Sequence, residues 1–207
     1  MRARHIPIVV VAIALTGLAP AQMEIFGPPK PAPFFHPKGF YALGFPGGWS
    51  YELNKSGDLV ASAQKGMDRA ELTLSMRSVP KDADTENVAL NAAKALRKLP
   101  HFKDGGGGRL KIAGKPASVR SFEFDWQGNT EYTIAVEELY VVSGPVLFTL
   151  HFEAMKRSFP AYRNDLKTIY DSLMVAEIDA DGKPFKVVSP KPVKDNSGVP
   201  NVNQIGW

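Results

Sequence analysis

No cysteine occurs among the 207 residues. That excludes disulfide staples, a thiolate nucleophile, a cysteine-based zinc site and attachment through a lipid-modified cysteine. No pair of histidines has the His-x-x-x-His spacing of a helical zinc site, and no Gly-x-Ser-x-Gly word marks a serine nucleophile. No lysine and arginine stripe is present, so nucleic acid is not expected as a partner despite a sequence pI near 9.2. The longest apolar run, Ile6 to Leu18, falls short of the ~20 residues of a membrane helix.

That run instead fits a leader. Arg2 and Arg4 precede it and Ala19-Pro20-Ala21 follows, the basic, apolar and small-residue parts of a secretory signal peptide. Cleavage is expected after Ala21, with an uncleaved anchor as the alternative. Loss of Arg2 and Arg4 leaves 23 basic against 21 acidic side chains, so net charge falls from +4 to +2. The expected product is exported, periplasmic or secreted, with no membrane span, and it is held together by its core alone. A domain of about 150 residues buries roughly 70% of its unfolded surface and can do so.

Residues 22–38 carry Pro28, Pro29, Pro31, Pro33 and Pro37, which read as an extended linker with Phe34 and Phe35 placed to dock on the domain. The domain is expected over 39–178. Tyr41, Leu43 and Phe45 alternate, as do Trp49, Tyr51 and Leu53, so "GFYALGFPGGWSYELN" reads as a hairpin whose rings face a core, with Gly47 at positive φ in a type II turn. Strands are expected at 58–64 and 70–78. Val88, Ala92, Leu96 and Leu99 then recur at helical spacing, with Asp84 or Thr85 as cap. Lys103-Asp104 and four glycines, Gly105 to Gly108, read as a flexible connection, because neither a Lys-Ser/Thr pair nor a helix follows to hold phosphate. Four more strand runs follow, one with Phe122, Phe124 and Trp126 on a single face. A second helix buries Phe159, Tyr162, Leu166, Ile169 and Leu173 behind a Ser158 cap, and residues 174–178 read as an edge strand. Residues 179–207 lack any period and read as a disordered tail, with Ile205-Gly206-Trp207 as a candidate anchor. The fold class is α+β: an antiparallel sheet of about six to eight strands with helices packed on it.

The words "GFYALGFPGGW" and "LFTLHFEAMKRSFPAYRNDLKTIYDSLMV" resemble the opening and closing of the PsbP-like family, which includes the DcrB-like bacterial envelope proteins. The matching elements are Tyr41, Gly44, Phe45, Pro46 and Trp49, then Leu147, Phe148, Thr149, Leu150, Ser172 and Leu173. The resemblance implies an α/β/α sandwich and a non-enzymatic exported protein. Plant and cyanobacterial members attach to photosystem II in the thylakoid lumen and help retain calcium and chloride. No functional residue of the family maps onto this chain, so no catalytic residue, cofactor or metal is assigned.

The remaining chemistry is sparse. His151 and Glu153 share one strand face, with Glu137 as a neighbouring-strand candidate for a divalent cation; solvated strand-face polar groups are the commoner arrangement. Glu137 and Glu138 point to opposite faces. Asp179-Ala180-Asp181-Gly182 opens like a calcium loop, but Pro190 stands where the bidentate glutamate belongs. Two readings remain: an exported accessory module for a protein partner at an envelope or membrane complex, with a photosystem-associated protein as one form of it, or a small-ligand carrier or enzyme with an unmarked pocket.

Overall fold

The computed structural model describes residues 32–185. The expected leader, the linker up to Pro31 and the anchor at Ile205 to Trp207 lie outside the described residues. In chain order the elements are β1 (Ala32–Phe35), β2 (Tyr41–Phe45), β3 (Trp49–Leu53), β4 (Leu59–Lys65), β5 (Asp68–Ser78), α1 (Thr85–Leu96), β6 (Lys103–Ile112), β7 (Lys115–Asp125), β8 (Thr133–Ser143), β9 (Val146–Met155), α2 (Phe159–Ser172) and β10 (Met174–Val175). They form two antiparallel sheets, one of seven strands in the order β3-β4-β5-β9-β8-β7-β6 and one of three in the order β1-β2-β10. The seven-stranded sheet matches the strand number expected.

The sheet buries both faces, each for a different reason. The inner face carries Leu59, Leu72, Leu74, Leu139, Phe148, Leu150 and Phe152 against Tyr162, Leu166 and Ile169 of α2 and Tyr41, Leu43 and Phe45 of β2. On the outer face α1 packs mainly on β7 and β8, over a small cluster of Ala89, Tyr140 and Leu147. The helix begins where Asp84 accepts a hydrogen bond from the Asn87 N–H, satisfying an otherwise orphaned donor. Its buried stripe is Thr85, Ala89 and Ala93, one position round from the expected Val88 and Ala92, which are half-buried. The small side chain of Ala89 lets the helix pack against Tyr140.

Several expectations are corrected. β2 and β3 do not pair with each other: β2 lies between β1 and β10, while β3 pairs with β4. Pro46 to Gly48 is a corner between sheets, and Gly48, not Gly47, takes the positive φ of 90°. The rings do face the core as expected, apart from the partly exposed Tyr51. Part of the expected linker is a strand: β1 pairs with β2 and sets Pro33 opposite Gly44. An edge strand tolerates the proline's missing N–H. The four glycines are not a connection but the first half of β6, with a register shift between Asp104 and Gly106. Gly106 has a φ of 88°, and its N–H donates to the Asp104 carboxylate, which fixes the bulge. Ser158 stands at the N-cap position of α2 as expected, but its hydroxyl makes no cap bond and donates to the Met155 carbonyl instead. The first residues of the expected tail are ordered, with Ile178 bridging to Pro184. Asp179 accepts from the N–H groups of Asp181 and Lys183, so the calcium-like word is a closed Asx turn. Among the described residues no helix is long and apolar enough to cross a membrane.

Candidate functional site

The outer face has a cleft of about 420 Å³ at one end, where the β4–β5 turn, the β7–β8 connection and the residues after β9 converge. Its apolar wall is Met67, Trp126, Tyr132, Ile134 and Met155; Arg69, Glu71 and Glu153 form the polar wall. Met67 is 96% exposed, Trp126 52% and Tyr132 48%. Large side chains this open to water, gathered in one place, mark a contact surface more often than a scattered exposed leucine does.

The aromatic pair stands on a tightly held turn. β7 stops at Asp125, and Trp126–Gly128 form a single 3-10 turn in which Gln127 adopts a φ of 51°. Trp126 stays on the side of the sheet it was expected to share with Phe122 and Phe124, since it lines the cleft beside Ile134, the residue opposite Phe124. Its N–H donates to the Tyr132 carbonyl, and the Asn129 side-chain oxygen accepts from the Glu131 N–H. Asp125 anchors the turn: it accepts from the Thr133 hydroxyl at 2.8 Å and lies 2.7 Å from His101 Nδ1. The Thr133 hydrogen bond, then that to His101, holds its carboxyl below the usual range.

Behind the polar wall lies a chain of side chains on the same face. His151 Nε2 is 3.2 Å from Glu153, and its Nδ1 is 2.9 Å from Glu138, which also accepts from the Tyr140 hydroxyl. Arg120 stands opposite Glu138 on β7 and reaches Asp104 of β6. The expected cation trio is corrected here. Glu138, not Glu137, faces His151, because β8 and β9 pair Glu138 with His151. Glu137 points to the other face, where burial raises its pKa near Tyr170 and Arg163 of α2. Among the described residues no group of three could hold a metal ion.

Burial opposes charge on His151, but hydrogen bonds to Glu138 and Glu153 outweigh it and raise its pKa to about 9. The His151 hydrogen bond holds Glu153 below its usual value. The ring discharges near 6.5 in an unfolded chain and only near 9 in the folded one. Its contribution is thus complete below the lower value and is lost as pH rises through the higher one. Glu153 behaves oppositely, its contribution present above the ordinary carboxylate value of 4.5 and lost in acid. Against His151→Gln, the wild type should be more stable at pH 6, and the gap should shrink towards pH 10 in urea titrations. A gap constant with pH would show that the ring is uncharged at neutrality.

The other described histidines are occupied. His36 is buried against Phe40 and Tyr41, and burial lowers its pKa. His101 serves the Asp125 turn. With both nitrogens of His151 taken, no described histidine stands free beside a hydroxyl nucleophile. The arrangement holds side chains in place and offers an aromatic, charged surface. Sequence reasoning missed Trp126 and Tyr132 as surface residues, although Gln127-Gly128-Asn129 signals the turn that exposes them.

No protein-family model matches the sequence, and no curated protein does. The fold nevertheless recurs in solved structures, and it is the PsbP-like sandwich. LpqN of Mycobacterium tuberculosis, described as involved in cell envelope biogenesis, superposes with a TM-score of 0.53 at 17% identity, over 70% of this chain and 90% of that one. The cyanobacterial PsbP of Synechocystis sp. PCC 6803 gives 0.53 at 14%, over 78% and 98%. A Pseudomonas aeruginosa protein of unknown function, described as a putative regulator, gives 0.51 at 16%, over 70% and 96%.

Proposed function

We propose that the protein is an exported, non-enzymatic accessory module that binds a protein partner of the cell envelope or of a membrane complex. The observation that carries this reading is the cleft, where Trp126 and Tyr132, on a hydrogen-bonded turn, and Met67, on the β4–β5 turn, stand open to water. Aromatic anchors with little rotamer freedom are the residues that dominate protein interfaces. The leader pattern supports export, and the fold shared with LpqN and cyanobacterial PsbP supports an accessory role outside the cytoplasm. A photosystem partner is one form of this reading.

The test is crosslinking capture from the native envelope fraction. The baits are the chain from Gln22 and its Trp126→Ala/Tyr132→Ala variant. The wild type should recover one dominant partner, and the variant should recover at least about tenfold less, the loss of a typical interface hot spot. Undiminished capture would remove the cleft from the contact, and no partner with either bait would defeat the module reading. The cleft's volume also lies within the range of small-ligand sites. In that second reading the cleft binds a metabolite, and ligand-induced quenching of Trp126 fluorescence would be seen with envelope extract freed of protein.

A further inference from the structure

β6 ends the seven-stranded sheet, and among the described residues its outer edge meets no other strand. At ten residues it is twice as long as β3 at the opposite edge. Residues 103–109 are all exposed. In an antiparallel strand alternate N–H and C=O groups point away from the paired neighbour. Among the described residues no backbone segment beyond β7 bonds to them. Such a row is a template for another strand.

The glycines sharpen this. A Cβ at Gly107 would lie 2.5 Å from the Val119 carbonyl oxygen and 2.7 Å from Arg120 Cδ, where that side chain reaches towards Asp104. Gly106 needs its positive φ, and a Cβ on Gly105 would press on Ser121 at 3.1 Å. Gly108 has no such reason: a Cβ there would meet only Val119 Cγ1 at 3.6 Å, ordinary contact. Glycine in a strand interior that the fold does not require marks a place where another backbone comes close.

We propose that the outer edge of β6 accepts an extended, acidic segment of a partner protein as an eighth strand. The charge defines the occupant. Arg109 and Lys111 share the outer face, while Leu110 and Ile112 pack on the inner core. A strand of alternating acidic and apolar residues would set its carboxylates beside the cations and its apolar side chains beside Leu110. A second copy of this chain is disfavoured: pairing antiparallel about Leu110 sets Arg109 opposite Lys111. The lysines and the bulge that deter self-association thus select for the opposite charge. The inference rests on the partner-binding reading but not on the cleft.

The probe is a capped eight-residue peptide of alternating glutamate and valine, added to the chain from Gln22. It should slow hydrogen exchange at alternate amides between Gly107 and Ile112. N-methylation of one alternate set of its residues should abolish this, and N-methylation of the other set should not. Arg109→Glu/Lys111→Glu should weaken binding about tenfold, the scale of two reversed exposed charge pairs. Binding that survives both methylations, amides already protected in the free chain, a dimer in place of the complex, or no binding at all would each overturn the proposal. Envelope capture with the double variant separates this from the broader reading. A partner captured undiminished leaves the module standing and overturns the β6 contact. No partner even for the wild type defeats the module itself.

Discussion

Trp49→Ala will lower the free energy of unfolding by about 4 kcal/mol, in the range for a large aromatic removed from a packed core. Trp49 opens β3 at the corner between the two sheets and is 3% exposed. Its ring stacks on Phe45 at 5.9 Å and meets the edge of Tyr162 at 6.4 Å and Phe152 at 6.3 Å. The indole N–H donates to Asp165 at 2.9 Å. One side chain therefore joins the small sheet, the large sheet and α2. Trp49→Phe keeps most of the ring and loses the hydrogen bond, so its loss should be about 1–2 kcal/mol. Tyr51→Ala, at a ring already 36% exposed, should fall below Trp49→Ala. Urea midpoints with unchanged slopes measure all three. A Trp49→Ala loss under about 1 kcal/mol would mean that the corner is not part of the core.

The second large effect separates two adjacent glycines. Gly107→Ala places a methyl group 2.5 Å from a backbone oxygen and 2.7 Å from Arg120 Cδ. The arginine can shift only by giving up its grip on Asp104, and the β7 backbone cannot give way. The expected loss is about 2 kcal/mol, typical of overpacking. Gly108→Ala meets open space on one side and Val119 on the other. It should change stability by less than about 0.5 kcal/mol, or raise it slightly, because alanine restricts the unfolded chain. Equal losses at the two positions would contradict the path of the Arg120 side chain.

The legible part of this fold was the alternation. Leu72, Leu74 and Met76, or Phe148, Leu150 and Phe152, announce a strand with one apolar face, and that pattern survives in the structure. Alternation says which face is buried but not which strand lies beside it, so β2 and β3 were joined wrongly. A signal was present: Tyr41-Ala42-Leu43-Gly44-Phe45 has no polar residue on either face, whereas β3 carries Ser50 and Glu52. A strand apolar on both sides belongs inside a stack of layers. The partner of His151 was legible too. Gly144-Pro145 makes a two-residue turn, and counting back from Ser143 opposite Val146 puts Glu138, not Glu137, opposite His151. The exposure of Trp126 was legible only from the turn beside it, Gln127-Gly128-Asn129, because alternation gives the face a ring takes and not what covers that face.

The placing of β2 has a mechanical meaning. β1 joins it by the Phe45 end first, with Ala32 opposite Phe45, while β10 finishes at the other end, with Val175 opposite Tyr41. The two flanking strands run the same way, so tension applied at Ala32 and at Val175 pulls along the strands in opposite senses. Bonds perpendicular to the strands then share the load together instead of opening one after another. A domain tethered at one side and bound at the other would resist being pulled apart in shear, through the strand that its first and last segments grip between them.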